Sequence, residues 1–122
     1  MTLARLVPLP IHAAFEVALA SIVMALPFAL GFEASALVVA VVVGVLMMGT
    51  GLAAATQISG RAGPGALRVS AHVDVDLGLA LASAFAALVF AIGGDVGAAG
   101  LFVVVAAAQG LLAVTTRYSA RA

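Results

Sequence analysis

Two histidine–carboxylate pairs stand out in a chain that otherwise has few ionisable side chains. His12 precedes Glu16 by four residues, and His72 precedes Asp76 by the same spacing sixty residues later. On a helix, positions i and i+4 lie on the same face, so each pair presents an imidazole and a carboxylate together. Two such pairs from equivalent helices could bind a divalent metal, with His12 and His72 as ligands, or could relay protons.

The same spacing also has a purely structural interpretation. Acidic residues favour the first turns of a helix, where they complement the helix dipole. Each histidine could then simply pair with its own carboxylate, Glu16 or Asp76, without binding a ligand. The residues alone leave the ion, proton and structural interpretations open.

The composition predicts an integral membrane protein. Of the 122 residues, 66% are hydrophobic and 8% are charged, whereas charged residues make up about 25% of an ordinary soluble domain. A membrane-spanning helix needs about 20 predominantly apolar residues. Four such runs fit the chain, at about residues 11–30, 34–56, 71–92 and 96–116, so we expect a single all-α transmembrane domain over residues 1–122.

The four helices are expected to form two similar hairpins, one over about residues 10–57 and the other over about residues 70–117. At an offset of sixty, His12 matches His72 and Glu16 matches Asp76. In the middle of the hairpins the offset becomes sixty-two, where Phe28, Gly31 and Glu33 match Phe90, Gly93 and Asp95. Each repeat has two spans, so the copies should have the same orientation in a four-helix bundle and be related by a pseudo-two-fold axis along the membrane normal.

A polar layer is predicted inside the bundle, because an ionised carboxylate in lipid costs a few kcal/mol. It should contain Glu16, Asp76, Gln109 and Thr50, with His12 and His72 just above it. Tyr118, beside an arginine, is typical of an anchor at the membrane interface.

Small residues on the helices are expected to allow close helix packing. They are Gly44, Gly49 and Gly51 on the second helix, Ala80, Ala84 and Ala87 on the third, and Gly97 and Gly100 on the fourth.

The arginines predict the orientation of the chain. All five lie in the tails or in the long central loop: Arg5, Arg61, Arg68, Arg117 and Arg121. By the positive-inside rule, both termini and the central loop should be cytoplasmic and the two short turns should lie outside. The chain has no cysteine and no net charge, so thiolate ligands are excluded and nothing indicates binding to nucleic acid.

The run Leu26-Pro27-Phe28-Ala29-Leu30-Gly31-Phe32 resembles the Ser-Pro-Trp…Leu-Gly-Phe signature of bacterial SPW-repeat membrane proteins. Those proteins carry two such hairpins, often with a histidine and an acid near the start of each. Leucine and phenylalanine replace the serine and tryptophan here, and the second copy, Ala87-Leu88-Val89-Phe90, has no proline. The resemblance implies a small multi-pass protein of the bacterial inner membrane and adds little about its function.

We expect a structural or interaction role in the bilayer, as a subunit of a homo-oligomer or larger membrane complex, because no catalytic set is found. The chain has no Gly-rich phosphate loop, HExxH motif or serine triad, which argues against an enzyme. Two alternatives use the ionisable pairs. One is a proton-coupled transporter or ion pathway through Glu16 and Asp76, and the other is a membrane metal or haem site at His12 and His72. The sequence does not identify a cofactor.

Overall fold

The molecule is a bundle of four long helices. The computed structural model describes residues 6–60 and 68–118; Arg5, Arg61 and Arg121 lie outside these ranges. The elements in chain order are β1 (Val7–Pro8), α1 (Leu9–Ala29), α2 (Ala34–Ile58), α3 (Val69–Ile92), α4 (Val96–Thr115) and β2 (Thr116–Arg117). Each helix begins and ends within two residues of the expected position, and the predicted all-α bundle of two hairpins is confirmed.

All four helices are long and apolar enough to cross a membrane. Their outward faces carry large apolar side chains, among them Val38, Leu81, Phe85 and Ile92, which are 62%, 72%, 68% and 78% exposed. A surface of this kind is unfavourable in water and suited to lipid acyl chains. The fold is therefore that of a multi-pass membrane protein.

Each hairpin turns at a glycine with positive φ. Gly31 has φ 69° and Gly94 has φ 84°, a conformation that L side chains rarely adopt. In each turn a backbone N–H reaches back to a carbonyl of the preceding helix: Phe32 N donates to Pro27 O at 3.0 Å, and Asp95 N donates to Phe90 O at 2.9 Å. Both connections are therefore short and hold their helices antiparallel.

The helices form a ring in chain order. α1 packs along α2, and α3 packs along α4, over most of their lengths; α2 also touches α3, and α4 closes the ring against α1. Contacts between the hairpins are sparser than contacts within them. α1 and α3 therefore lie across the bundle from each other, where side chains from both can meet at the centre.

Only some of the glycines on α2 serve close packing. A Cβ at Gly44 would overlap Met24 and lie 3.2 Å from the Ala20 carbonyl oxygen of α1, and a Cβ at Gly51 would lie 2.9 Å from Val17 Cγ2. Without a side chain at these two glycines, α1 and α2 can pack closely against each other.

The same prediction was wrong for Gly49 on α2 and Gly100 on α4. A Cβ at either position would meet nothing within 4 Å, because both residues face away from the neighbouring helices.

The half of the bundle nearest the turns is filled mainly by apolar side chains, although Ser83 of α3 is also buried there, with no hydrogen-bond partner for its hydroxyl among the described residues. Val23, Met47, Phe102 and Val105 are at most 1% exposed. Phe90 stacks on Phe102 with 5.5 Å between ring centroids. This core separates the turn end of the bundle from the polar residues nearer the tails.

A short parallel strand pair ties the two ends of the chain together. Val7 of β1 pairs with Thr116 of β2, and Pro8 pairs with Arg117. The sequence gave no indication of this pairing, since two-residue strands have no periodicity to detect. It draws the segment after α4 across the start of α1, so that residues 116–118 cover the tail end of the bundle.

Candidate metal centre

The two histidine–carboxylate pairs meet inside the bundle. α1 supplies His12 and Glu16 one turn apart, and α3 supplies His72 and Asp76 in the same way, with both pairs directed towards the centre of the ring. His12, Glu16 and Asp76 are fully buried, and His72 is 2% exposed. The two pairs therefore occupy corresponding positions on α1 and α3.

The expected polar layer is present, and the histidine rings reach into it. Gln109 of α4 is fully buried and donates from Nε2 to Glu16 Oε1 at 2.9 Å and to Asp76 Oδ1 at 3.3 Å. The Thr50 hydroxyl of α2 has two acceptors within reach, Glu16 Oε1 at 2.8 Å and the Met47 carbonyl oxygen at 3.0 Å, and its single proton favours the shorter contact with the carboxylate. All four helices therefore contribute a side chain to one buried cluster.

Four potential ligand atoms surround a common point: the Nε2 atoms of His12 and His72, Glu16 Oε2 and Asp76 Oδ2. All lie within 4.8 Å of one another. His12 Nε2 is 3.4 Å from Glu16 Oε2 and 3.1 Å from Asp76 Oδ2; His72 Nε2 is 3.3 Å from each of these oxygens. A tetrahedral ion with ligands at about 2.0–2.1 Å has about 3.3–3.4 Å between neighbouring ligand atoms. The four nitrogen–oxygen distances match four of the six edges of such a tetrahedron, and the nitrogen–nitrogen and oxygen–oxygen separations lie within 4.8 Å.

Three of the four distances exceed the length of an ordinary N–H···O hydrogen bond, about 2.7–3.2 Å, and the fourth, 3.1 Å between His12 Nε2 and Asp76 Oδ2, is near its upper limit. A charge-assisted N–H···O bond has a length of about 2.7–2.9 Å, and these contacts are longer. His12 Nε2, His72 Nε2 and Glu16 Oε2 have no hydrogen-bond partner, although all three are buried. Leaving a buried polar atom unpaired costs about 1–3 kcal/mol. Three such atoms facing one point indicate that the cluster is shaped for something at its centre.

The hydrogen bond of His12 fixes which of its nitrogens can act as a ligand. Thr116 Oγ1 donates its single proton to the carbonyl oxygen of Leu112, so its contact with His12 Nδ1 at 2.8 Å must be an N–H donated by the histidine. In the neutral imidazole, Nε2 then carries the free lone pair, and it faces the centre. Metal-binding histidines commonly have their other nitrogen held in this way.

Tyr118 also belongs to the cluster, so its prediction as an interfacial anchor was wrong. The side chain is 6% exposed, and its hydroxyl donates to Asp76 Oδ2 at 2.7 Å. A carboxylate oxygen has two lone pairs, so this oxygen can accept from Tyr118 and still face the centre. The β1–β2 pairing explains the correction, because it directs the chain after α4 inward over the site.

The charges of the cluster are compatible with a divalent cation and equally with two protonated imidazoles. Within the described residues, the ion pairs of Glu16 and Asp76 are formed with His12 and His72 alone. Two carboxylates and two neutral imidazoles carry a charge of −2, which a divalent ion balances. A neutral assembly matters here because uncompensated charge inside a membrane-spanning bundle is costly.

The space available suits a bare ion rather than a haem. The rings of His12 and His72 have their centroids 5.5 Å apart and are tilted by 65°, and the two carboxylates lie between them. A porphyrin is far wider than this gap, and Tyr118 packs against both rings. The geometry therefore favours a small metal ion over a haem at this site.

Two residues of the cluster were not identified as site residues from the sequence. Thr116 lies seven residues after Gln109, which is two helical turns and hence the same face; that spacing was a usable signal. Tyr118 follows the end of α4, where no helical periodicity applies, so its placement depends on the β1–β2 pairing.

Comparison with protein-family models, with curated proteins and with solved structures gives no match for this chain. The resemblance to SPW-repeat proteins stays a prediction, and the function is inferred from the site itself.

Proposed function

We propose that the protein binds one divalent transition-metal ion, of which Zn²⁺ is the best example, between its two hairpins. The ligands are His12 Nε2, Glu16 Oε2, His72 Nε2 and Asp76 Oδ2. The observation that carries the proposal is that each histidine Nε2 lies 3.1–3.4 Å from both carboxylate oxygens, which matches four of the six edges of a tetrahedral site.

The role of the ion is structural. Four protein ligands fill a tetrahedral coordination sphere, as in structural zinc sites, whereas catalytic sites keep a position open for water or substrate. α1 and α3 belong to different hairpins, and contacts between the hairpins are the sparser ones in the bundle. An ion held by both helices would therefore fasten the hairpins together.

This role fits a membrane scaffold. A bundle fastened in this way presents a rigid apolar surface to the bilayer and to other membrane-embedded chains, as a homo-oligomer or a subunit of a larger complex. We place it in the bacterial inner membrane with both termini in the cytoplasm. Support for this orientation comes from the arginines, of which the described pair, Arg68 and Arg117, adjoin the tail ends of α3 and α4.

Equilibrium dialysis of the purified protein against Zn²⁺, followed by elemental analysis, tests the proposal. Wild type should retain one ion per chain. Asp76→Asn should lose it, whereas the matched control Asp74→Asn should retain it, because Asp74 lies on the exposed side of the same helix. Retention of the ion by D76N, or no stoichiometric ion in wild type, would overturn the proposal.

A proton or ion pathway through Glu16 and Asp76 is the alternative use of the same residues. Such a pathway must continue from the site to the turn end of the bundle. The described core there is mainly apolar, with buried Val23 and Phe102 together with buried Ser83, which supports a closed site over a pathway. Proton flux in proteoliposomes that disappears in the Glu16→Gln/Asp76→Asn double variant would favour the pathway instead.

A further inference from the structure

The two oxygens of each carboxylate have different surroundings. Glu16 Oε2 and Asp76 Oδ2 face the centre of the cluster, whereas Glu16 Oε1 and Asp76 Oδ1 face away from it. Glu16 Oε1 accepts hydrogen bonds from both Thr50 and Gln109, at 2.8 Å and 2.9 Å. Asp76 Oδ1 accepts from Gln109 at 3.3 Å. Each carboxylate therefore offers the centre one oxygen.

This division of the oxygens bears on which ions the site can hold. Ca²⁺ takes six to eight oxygen ligands and uses bidentate carboxylates, and Mg²⁺ requires six ligands, usually including waters. Mn²⁺ likewise suits octahedral oxygen sites. With one oxygen from each acid and fully buried ligands, the site supplies four donors and is closed to water from outside. Four-coordinate ions such as Zn²⁺ fit this number.

Gln109 is the side chain that acts on both acids at once. Its amide nitrogen must face the carboxylates, since its carbonyl oxygen would repel them, and that oxygen, Oε1, is buried without a partner. The buried positions of α2 and α4 correspond at an offset of sixty-two residues, so the equivalent position on α2 is Met47, which has no side-chain amide. A single glutamine therefore serves both halves of the bundle.

We propose that Gln109, assisted by Thr50, determines the metal preference of the site by holding Glu16 and Asp76 in monodentate geometry. Gln109 is a positioning residue, since it touches the ligands and not the ion. The inference rests on the metal-binding function proposed above and names the class of ion that the site selects. Without the amide, the outer oxygens are free to turn towards the ion, and the coordination number can rise.

Co²⁺ is the probe for coordination number, because four-coordinate Co²⁺ absorbs visible light much more strongly than six-coordinate Co²⁺. The wild-type Co²⁺ complex should show the strong four-coordinate spectrum and prefer Zn²⁺ over Mn²⁺. Gln109→Leu should weaken the visible absorption and narrow the Zn²⁺-over-Mn²⁺ preference by about tenfold or more, within the range known for residues that orient ligands. Leu111→Val, on the lipid-facing side of α4, is the matched control and should behave as wild type.

Thr50 provides a second variant in case Gln109→Leu does not fold. Thr50→Val should shift the spectrum and the ion preference in the same direction but less, because Gln109 still holds Glu16; Thr50→Ser retains the hydroxyl and should restore wild-type behaviour. Variants that bind Co²⁺ with the wild-type spectrum and ion preference would overturn this inference while leaving the proposed function intact. Failure of wild type to bind Co²⁺ or Zn²⁺ would overturn the function itself.

Discussion

Replacing Glu16 by glutamine should remove most of the stability that the ion provides. The four ligand residues are between 0% and 2% exposed, so water is poorly placed to replace a lost ligand oxygen. Loss of a residue that merely orients a ligand weakens binding about 10–100-fold, so loss of a ligand should cost at least about 100-fold, or about 2.8 kcal/mol. At an ion concentration 100 times the wild-type Kd, binding stabilises wild type by about 2.7 kcal/mol and the variant by about 0.4 kcal/mol.

The free energy of unfolding, measured by denaturant titration in micelles with and without Zn²⁺, gives this difference directly. Glu33→Gln is the matched control, because Glu33 lies in the first turn at the opposite end of the bundle and makes no side-chain cap bond. Its metal-dependent stabilisation should equal that of wild type. Full metal-dependent stabilisation of Glu16→Gln would refute the assignment of this carboxylate as a ligand.

Three further outcomes are expected. Chelation should lower the wild-type free energy of unfolding and renewed Zn²⁺ should restore it in the same titration; indifference to chelation would contradict a structural role for the ion. Thr116→Val removes the acceptor for His12 Nδ1 and should weaken Zn²⁺ binding about 10–100-fold by competition with a chromogenic chelator. Thr115 is a partly exposed neighbour whose hydroxyl donates to Leu111 O of its own helix, so Thr115→Val should bind Zn²⁺ with wild-type affinity. Equal Zn²⁺ affinities for the two variants would disprove the orienting role of Thr116. Gly44→Ala should lower the free energy of unfolding by about 1–3 kcal/mol because the added Cβ would overlap α1. Gly49→Ala should raise the free energy of unfolding by about 0.5–1 kcal/mol because the added Cβ faces open space. The same denaturant titration measures both variants, and the reverse order of stabilities would contradict the described helix contacts.

Much of the fold follows from the sequence because the membrane restricts the alternatives. Four apolar runs must be helices if no water is present to satisfy the backbone, and short turns at Gly31 and Gly94 leave adjacent helices antiparallel. The cost of exposing charge to lipid also places Glu16, Asp76 and Gln109 inside. These inferences need only the composition of the chain, the spacing of its polar residues and the absence of water from the lipid interior.

What sequence reasoning missed depends on tertiary contacts. Tyr118 lies beyond the last helix and reaches the site through the β1–β2 pairing, which leaves no periodic signal. Gly49 and Gly100 show the related limit for helix packing, since the small size of a residue does not reveal which way it faces. The spacing of the pairs identifies candidate ligands, but the distances that favour an ion over simple pairing come only from the assembled bundle.

Zinc K-edge X-ray absorption of the purified, zinc-loaded protein tests directly whether His12, Glu16, His72 and Asp76 hold a four-coordinate ion. We expect four nitrogen and oxygen ligands at about 2.0–2.1 Å from the zinc, two of them imidazoles. A spectrum of six-coordinate zinc, or one without the imidazole contribution from His12 and His72, would contradict this expectation.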